Sequence, residues 1–265
     1  MKMIHESVAH DGVSVEEVAA DYVYRLRKGD RSFLMLDAEV GLNSSASAKI
    51  ARSKSSTSEV LRRAGVPAVE HVFLPHPGRK YRNVEAHAAA RDLFVRYGCR
   101  AVVKPDGGSQ GKHVYKVDSL SGLEETLDNL FALEHDAAIS PFLESGLEYR
   151  VVTLCGQPKV LLGKRREQSW KHNLAQGARP VDVDARLTAP LADLAAAASE
   201  ALGLDFCSVD ILETSDGLLV LEVNDKVMLD HYLRTFPERV DQVSALYREA
   251  ILTRFARERA QHSRM

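Results

Sequence analysis

Asp210, Glu222 and Asn224 are the residues whose types and spacing best suit chemistry. Between them lies Ser215-Asp216-Gly217, which reads as a three-residue hairpin turn whose closing Gly can take the left-handed conformation. Centring the pairing on Asp216 sets Asp210 opposite Glu222, and the two-residue period of a strand puts Asn224 on the face of Glu222. Like charges facing each other on paired strands are destabilising by roughly 0.2–1 kcal/mol, so two facing carboxylates call for a cation. Two carboxylates and an amide oxygen suit Mg²⁺ or Mn²⁺, hard ions that prefer oxygen and keep positions for phosphate and water. The competing interpretation is a solvated polar face, with Val209, Ile211, Leu219, Leu221 and Val223 building the core behind it.

A second group is Lys104, Gly107, Gly108, Ser109, Gln110 and Gly111, where a strand runs into a glycine-rich loop and out into another strand. Glycines let backbone N–H groups approach and cradle phosphate, and Lys104 meets the same charge from the strand. The spacing is not that of a Walker A loop, because no Ser or Thr follows Lys112 and a strand rather than a helix comes next. Taken alone, such a loop is better explained by an ordinary hairpin turn with edge lysines. A third group spans Lys159 to Arg179, with Lys159, Lys164, Arg165, Arg166, Lys171 and Arg179 against Glu167 alone. This local positive excess suits nucleotide phosphates or a carboxylate. Strand alternation sends Arg165 and Arg166 to opposite sides, and Arg165 is the one expected at a site. Trp170 is either a packing anchor or a lid residue.

The elements that must position these residues are α/β throughout, without the regular βαβ alternation of a doubly wound sheet. Apolar spacing over Ser14–Lys28, with Ser14 and Glu17 in capping-box form, predicts a helix. Phe33–Leu36 and Val69–Leu74 read as strands; Ser53–Ala64 and Val84–Tyr97 read as helices. From Ala101 the chain is mostly β, with helices near Ser119–Leu133, Pro190–Leu202 and Glu238–Glu258. With 265 residues, 45% of them hydrophobic, the chain can bury a sizeable core. Thirty-five basic against thirty-seven acidic residues exclude binding of nucleic acid by bulk charge. No apolar run has the length of a membrane span and no signal peptide is evident, so a cytoplasmic protein with no membrane partner is expected. Cys99, Cys155 and Cys207 form no C-x-x-C pair and read as reduced thiols.

In order along the chain, Ser47–Lys54, Leu61–Pro67, Val103-Lys104-Pro105 with its glycine loop, Glu148–Val151, Lys164–Arg166, Asn173–Gly177, Asp210 and Leu221–Asn224 resemble the ATP-grasp superfamily. The resemblance is to the branch with glutathione synthetases, cyanophycin synthetases and the glutamate ligases that modify ribosomal protein. It implies an α+β ATP-grasp fold, two α/β subdomains sandwiching ATP, here divided as 46–136 and 137–265. Residues 1–45 stand where relatives carry a whole N-terminal domain and are expected to be a truncated segment. The resemblance further implies that Lys54, Lys104, Lys171 and the glycine loop contact ATP, with Ser140 and Phe142 along adenine and Glu148 on the ribose. Arg150, Arg165 and Asn173 would meet the reacting phosphates, and Asp210, Glu222 and Asn224 would hold Mg²⁺.

The reaction so implied activates a carboxylate as an acyl phosphate, with ADP released, and an amine then displaces phosphate. Small amino-acid-like carboxylate and amine substrates are expected. The acceptor pocket is open, completed by a second copy in a homodimer, or takes a peptide or carrier protein. Lys226, His231 and Tyr232, where the sequence departs from its relatives, are candidate selectors, and His172 is a candidate base. The competing functions are an ATP-binding module without catalysis and a kinase on the same scaffold.

Overall fold

The computed structural model describes residues 2–20, 22–79, 85–108, 111–166 and 178–262. Ser109, Gln110, Trp170, Lys171, His172 and Asn173 therefore lie outside the described residues.

Four short strands, β4 (Val72–Leu74), β5 (Ala101–Pro105), β6 (Tyr115–Val117) and β7 (Ala137–Pro141), form an antiparallel sheet in the order β4-β7-β5-β6. Two helices, α4 (Ala86–Arg96) and α5 (Leu120–Ala132), cover one face, packing Phe94, Leu123 and Leu127 on Val103 and Ile139. Strand alternation turns Val102, Lys104 and Ser140 to the other face, which borders a cleft. Because β7 pairs with β4 and β5, this sheet runs past residue 136.

The second sheet has five antiparallel strands in the order β10-β9-β8-β11-β12: β8 (Leu147–Leu154), β9 (Gln157–Arg165), β10 (Arg179–Val181), β11 (Phe206–Thr214) and β12 (Gly217–Asn224). One face is apolar along its length; Tyr149, Val151, Cys207, Val209, Ile211 and Val223 pack with Leu191 and Ala195 of α6 (Ala185–Leu202). The opposite face is divided. Val152, Leu154, Val160, Leu162 and Phe206 are apolar and covered, whereas Glu148, Arg150, Lys164 and Asp210, on the same faces of the same strands, border the cleft.

What covers the apolar half is the N-terminal region. The helix expected over Ser14–Lys28 is instead a hairpin, β1 (Ser14–Ala19) and β2 (Val23–Lys28), continued by β3 (Arg31–Leu36). Tyr24 and Leu26 alternate with Arg25 and Arg27, so the segment satisfies a strand period as well as a helical one. Packing against the larger sheet decides between them: Tyr24, Leu26, Phe33 and Met35 are buried with Val152, Leu162, α1 (Lys2–Ala9) and α8 (Val240–His262). Residues 1–45 thus help to build a core.

The serine-rich stretch makes two helices where one was expected, α2 (Ser45–Arg52) and α3 (Lys54–Arg63). Each is capped by a serine side chain, Ser44 accepting from the Ser47 amide and Ser53 from that of Ser56. A short helix, α7 (Asp230–Thr235), follows β12.

The β11–β12 hairpin also differs in detail. Thr214 pairs with Gly217, so the loop is the two residues Ser215-Asp216, and Leu221 is the extra residue of a bulge. The bulge restores the expected facing of Asp210 and Glu222. It also switches parity beyond it, so that Val220 joins the core in place of Leu219 and Leu221, and Leu221 lines the cleft.

Candidate functional site

The two sheets enclose a cleft of about 860 Å³. On the wall formed by the larger sheet, register brings four charges together. Arg150 is the cross-strand partner of Asp210, and Glu148 of Lys164. The Arg150 guanidinium donates to both Asp210 oxygens at 2.8 and 2.7 Å, a bidentate pair. Lys164 donates to Glu148 and, at 3.1 Å, to Asp210 Oδ1. Asn224 spans the gap to β12, its amide donating to Asp210 at 3.3 Å and to Glu222 at 3.5 Å.

Burial and charge oppose each other in this group. Burial alone raises the Asp210 pKa, but Arg150 and Lys164 outweigh it and hold the carboxyl well below the carboxylate range. Burial also disfavours the charge of Arg150, and Asp210 outweighs that in turn. Glu148 goes the other way; burial, with Asp210 adding, pushes its carboxyl up against the pull of Lys164.

The opposite wall is built differently. Asp106, at the end of β5, accepts from Ser53 Oγ at 2.6 Å and from the Ser55 amide at 2.9 Å, which fastens the start of α3 beneath the glycine loop. Lys54 is directed into that loop, donating to Gly108 O at 2.6 Å and Asp106 O at 3.3 Å. Lys104 is only 6% exposed and borders the cleft, and its ammonium has no hydrogen-bond or ion-pair partner among the described residues. Burial pushes its pKa down to about 8, Lys54 adding and Glu222 opposing.

Of the expected residues, Lys54, Lys104, Gly107, Gly108, Gly111, Ser140, Phe142, Glu148, Arg150, Asp210, Glu222 and Asn224 all border this cleft. Arg165 does not. It is the exposed last residue of β9, on the side of Tyr149 and α6, and the cation that β9 turns into the cleft is Lys164. The signal was the parity of Val160, Leu162 and Lys164, all buried on one face. At the expected adenine edge, the Phe142 amide is already given to Arg100 O at 3.1 Å. Lys226, His231 and Tyr232 border the cleft beyond Asn224.

Asn43 carries no motif and was missed, yet it fastens the N-terminal region to the site. Its amide donates to Phe206 O at 2.7 Å and Asp225 O at 3.0 Å, while its oxygen accepts from the Asp205 and Phe206 amides. Arg52 adds a bidentate pair to Asp225, the shortest contact 2.7 Å.

The donor set of Asp210, Glu222 and Asn224 fits a hard divalent cation, because the Asn224 amide lies within hydrogen-bond reach of both carboxylates, whose residues face each other in register. Asn224 needs only to turn its amide to present oxygen. No group of three His, Cys, Asp or Glu side chains with metal-binding geometry occurs among the described residues, so any such site depends on the asparagine. No helix among the described residues is long and apolar enough to cross a membrane.

Residues 51–242 match the RimK-like ATP-grasp domain. A probable alpha-L-glutamate ligase of Maridesulfovibrio salexigens is 28% identical over 141 residues, 52% of this chain and 46% of that protein. The chain spans about half the length of the curated relatives it matches. Among solved structures, the D-alanine–D-alanine ligase of Bacillus anthracis complexed with ATP superposes with a TM-score of 0.58 at 17% identity, covering 78% of this chain and 70% of that one. The ATP-grasp ligase PsnB, complexed with a phosphomimetic variant of its minimal precursor, Mg and ADP, superposes with a TM-score of 0.57 at 17% identity, covering 80% and 61%. These likenesses show an ATP-grasp fold with two sheets facing across a cleft.

Proposed function

The chain belongs to the RimK-like ATP-grasp family, and from that premise we propose that it is an ADP-forming ligase that joins a carboxylate to an amine. The observation that carries this is the pairing of opposites across the cleft. Lys104 is buried without a described partner on one wall, and Asp210, Glu222 and Asn224 cluster on the other. A buried cation facing a cleft is suited to an anionic ligand, and polyphosphate supplies the charge.

In this reading Lys104 and the backbone of Gly107, Gly108 and Gly111 hold the phosphates of ATP, and Lys54 keeps the loop in place from beneath. Apolar Leu212 and Leu221 line the same cleft and give a planar base a surface to lie on. Ser109, Gln110, Lys171 and Asn173 are assigned to phosphate contact on the resemblance alone.

A substrate carboxylate oxygen attacks the γ-phosphorus; the bond from that phosphorus to the bridging β-phosphate oxygen breaks and ADP leaves. The amine nitrogen then attacks the acyl carbon. An amide bond forms, the carbon–oxygen bond to phosphate breaks, and the amine proton passes to solvent or phosphate. Arg150 and Lys164 lie where negative charge moves in both steps and stabilise it without reorganising. Asp210, Glu222 and Asn224 would hold Mg²⁺, which when bound lowers the charge repulsion that resists attack on the phosphate. ATP use and three thiols without a disulfide suit the cytoplasm.

The test is Mg²⁺-dependent release of ADP and phosphate with pooled amino acids and dipeptides, read by mass spectrometry for condensed products. ADP with an amide product is expected. AMP as the product would overturn acyl-phosphate chemistry, and phosphorylated product without amine dependence would make the protein a kinase.

A further inference from the structure

The loop after β3 brings a carboxylate from the N-terminal region into the cleft. Leu36 and Glu39 exchange both backbone hydrogen bonds, at 3.2 and 2.9 Å, closing a two-residue turn of Asp37 and Ala38. The Asp37 amide donates to Tyr22 O at 2.7 Å, which holds the turn on the N-terminal sheet. Asp37 has φ of +53°, a left-handed conformation that glycine adopts at no steric cost. Aspartate is among the few non-glycine residues that tolerate this region in turns.

That side chain meets Lys226 at 2.6 Å. Lys226 is two residues beyond Asn224, so the pair adjoins the end of the cleft where the carboxylate cluster sits. Both side chains remain about one third exposed, at 31% and 32%. An ion pair this accessible adds little to the fold and opens easily. Its neighbours are charged too, but engaged elsewhere: Arg52 is held by Asp225 and approaches Glu39 at 3.9 Å. His231 also borders this end of the cleft.

We propose that Asp37 and Lys226 form the head-group pocket for a free α-amino acid substrate, Asp37 taking its ammonium and Lys226 its carboxylate. An α-amino acid carries both charges on neighbouring atoms of one carbon, which matches an anion and a cation in contact on the wall. A peptide or carrier-protein acceptor, whose carboxylate is remote from its amine, satisfies only Asp37. The inference rests on the ligase reading for the use made of the amino acid. It supplies what that reading lacks, a recognising group shared between Asp37, ahead of the matched domain, and Lys226, within it.

The test is a binding titration of the full chain loaded with Mg²⁺ and ADP, using glycine, L-alanine, L-glutamate and L-lysine, with ethylamine and propionate as single-charge probes. At least one amino acid is expected to bind about tenfold more tightly than either single-charge probe. Asp37→Gly relaxes the backbone, so it is expected to keep its thermal midpoint and its ADP affinity while losing that binding by about tenfold or more. Lys226→Gln is expected to lose it too, and Asp37→Asn checks the carboxylate with the turn intact. Failure of the wild type to bind any of the four amino acids, or unchanged binding in Asp37→Gly, overturns the pocket. Loss of ADP affinity in Asp37→Gly equal to the loss of amino-acid binding overturns it as well. Amino-acid binding without ADP release from ATP would leave the pocket standing and sink the ligase reading; ADP release and amide formation without the Asp37 effect would do the reverse.

Discussion

On the wall formed by β8, β9 and β11, Arg150 and Lys164 are both seated on Asp210; on the facing wall Lys104 is buried as deeply as Lys164, and no described residue pairs with it. The first wall is neutralised from within, so its side chains are fixed before any ligand arrives. The second holds a charge whose burial Glu222 offsets only in part, leaving its pKa down at about 8. In the proposed function such a cleft separates two tasks, a preorganised surface where charge is transferred and an unpaired cation suited to phosphate. The difference also predicts opposite signs when a charge is removed from either side.

Asp210→Asn should have the largest effect. It leaves the half-buried Arg150 and the buried Lys164 facing a neutral amide, with only Glu148 left to Lys164, and breaking a buried pair costs roughly 3–5 kcal/mol. Denaturant unfolding is expected to show a loss of that order, together with loss of ATP-dependent turnover. A stability change below about 1 kcal/mol would show that the wall is not neutralised as described.

Lys104→Met should do the contrary on the facing wall. The group is held at a pKa of about 8 against 10.5, which at neutral pH corresponds to a folding cost on the order of 3 kcal/mol. Replacement is expected to raise stability by up to that amount while lowering kcat/KM for ATP by roughly 10²–10³-fold. A variant that gains neither stability nor loses ATP dependence would remove Lys104 from the phosphate site.

The same lysine gives a pH signature. Between pH 8 and 10.5 the unfolded chain binds more protons at this position than the folded one, so the stability contributed here rises with pH across that window. Function moves the other way: kcat/KM for ATP should fall above about pH 8 as free Lys104 loses its proton, while kcat, read on the phosphate-bound form, changes less. Lys104→Arg stays charged and should flatten the kcat/KM profile in that range.

How much of this arrangement is legible in the sequence depends on the distance over which each feature is decided. The facing of Asp210 and Glu222 is readable because a short hairpin fixes it locally, although the turn holds two residues and the Leu221 bulge supplies the compensating shift. The Lys104 loop is readable because glycine spacing is itself the signal. The N-terminal hairpin is not, since Tyr24 and Leu26 fit either period until the apolar half of the larger sheet selects one. Asn43 and Asp37 carry no local pattern at all; their roles exist only because the chain returns to Asp205, Asp225 and Lys226 from far away in sequence.

The smallest expected effect comes from Arg165, and its size tests the parity that separates the two walls' chemistry from the rest of the sheet. Sequence alternation sends Arg165 and Arg166 to opposite sides but does not say which side the cleft is on. Lys164 is opposite Glu148 and shares its face with Leu162 and Val160, so the cleft lies on the even-numbered side of β9 and Arg165 points to solvent beside Tyr149. Arg165→Ala should therefore change stability by less than about 0.5 kcal/mol and kcat/KM by less than about twofold. Lys164→Ala should behave like a member of the charged wall and lose both. If Arg165→Ala instead cost as much activity as Lys164→Ala, the last turn of β9 would have to rotate by one residue when substrates bind. The parity of Lys164 and Arg165 would then not hold through the catalytic cycle.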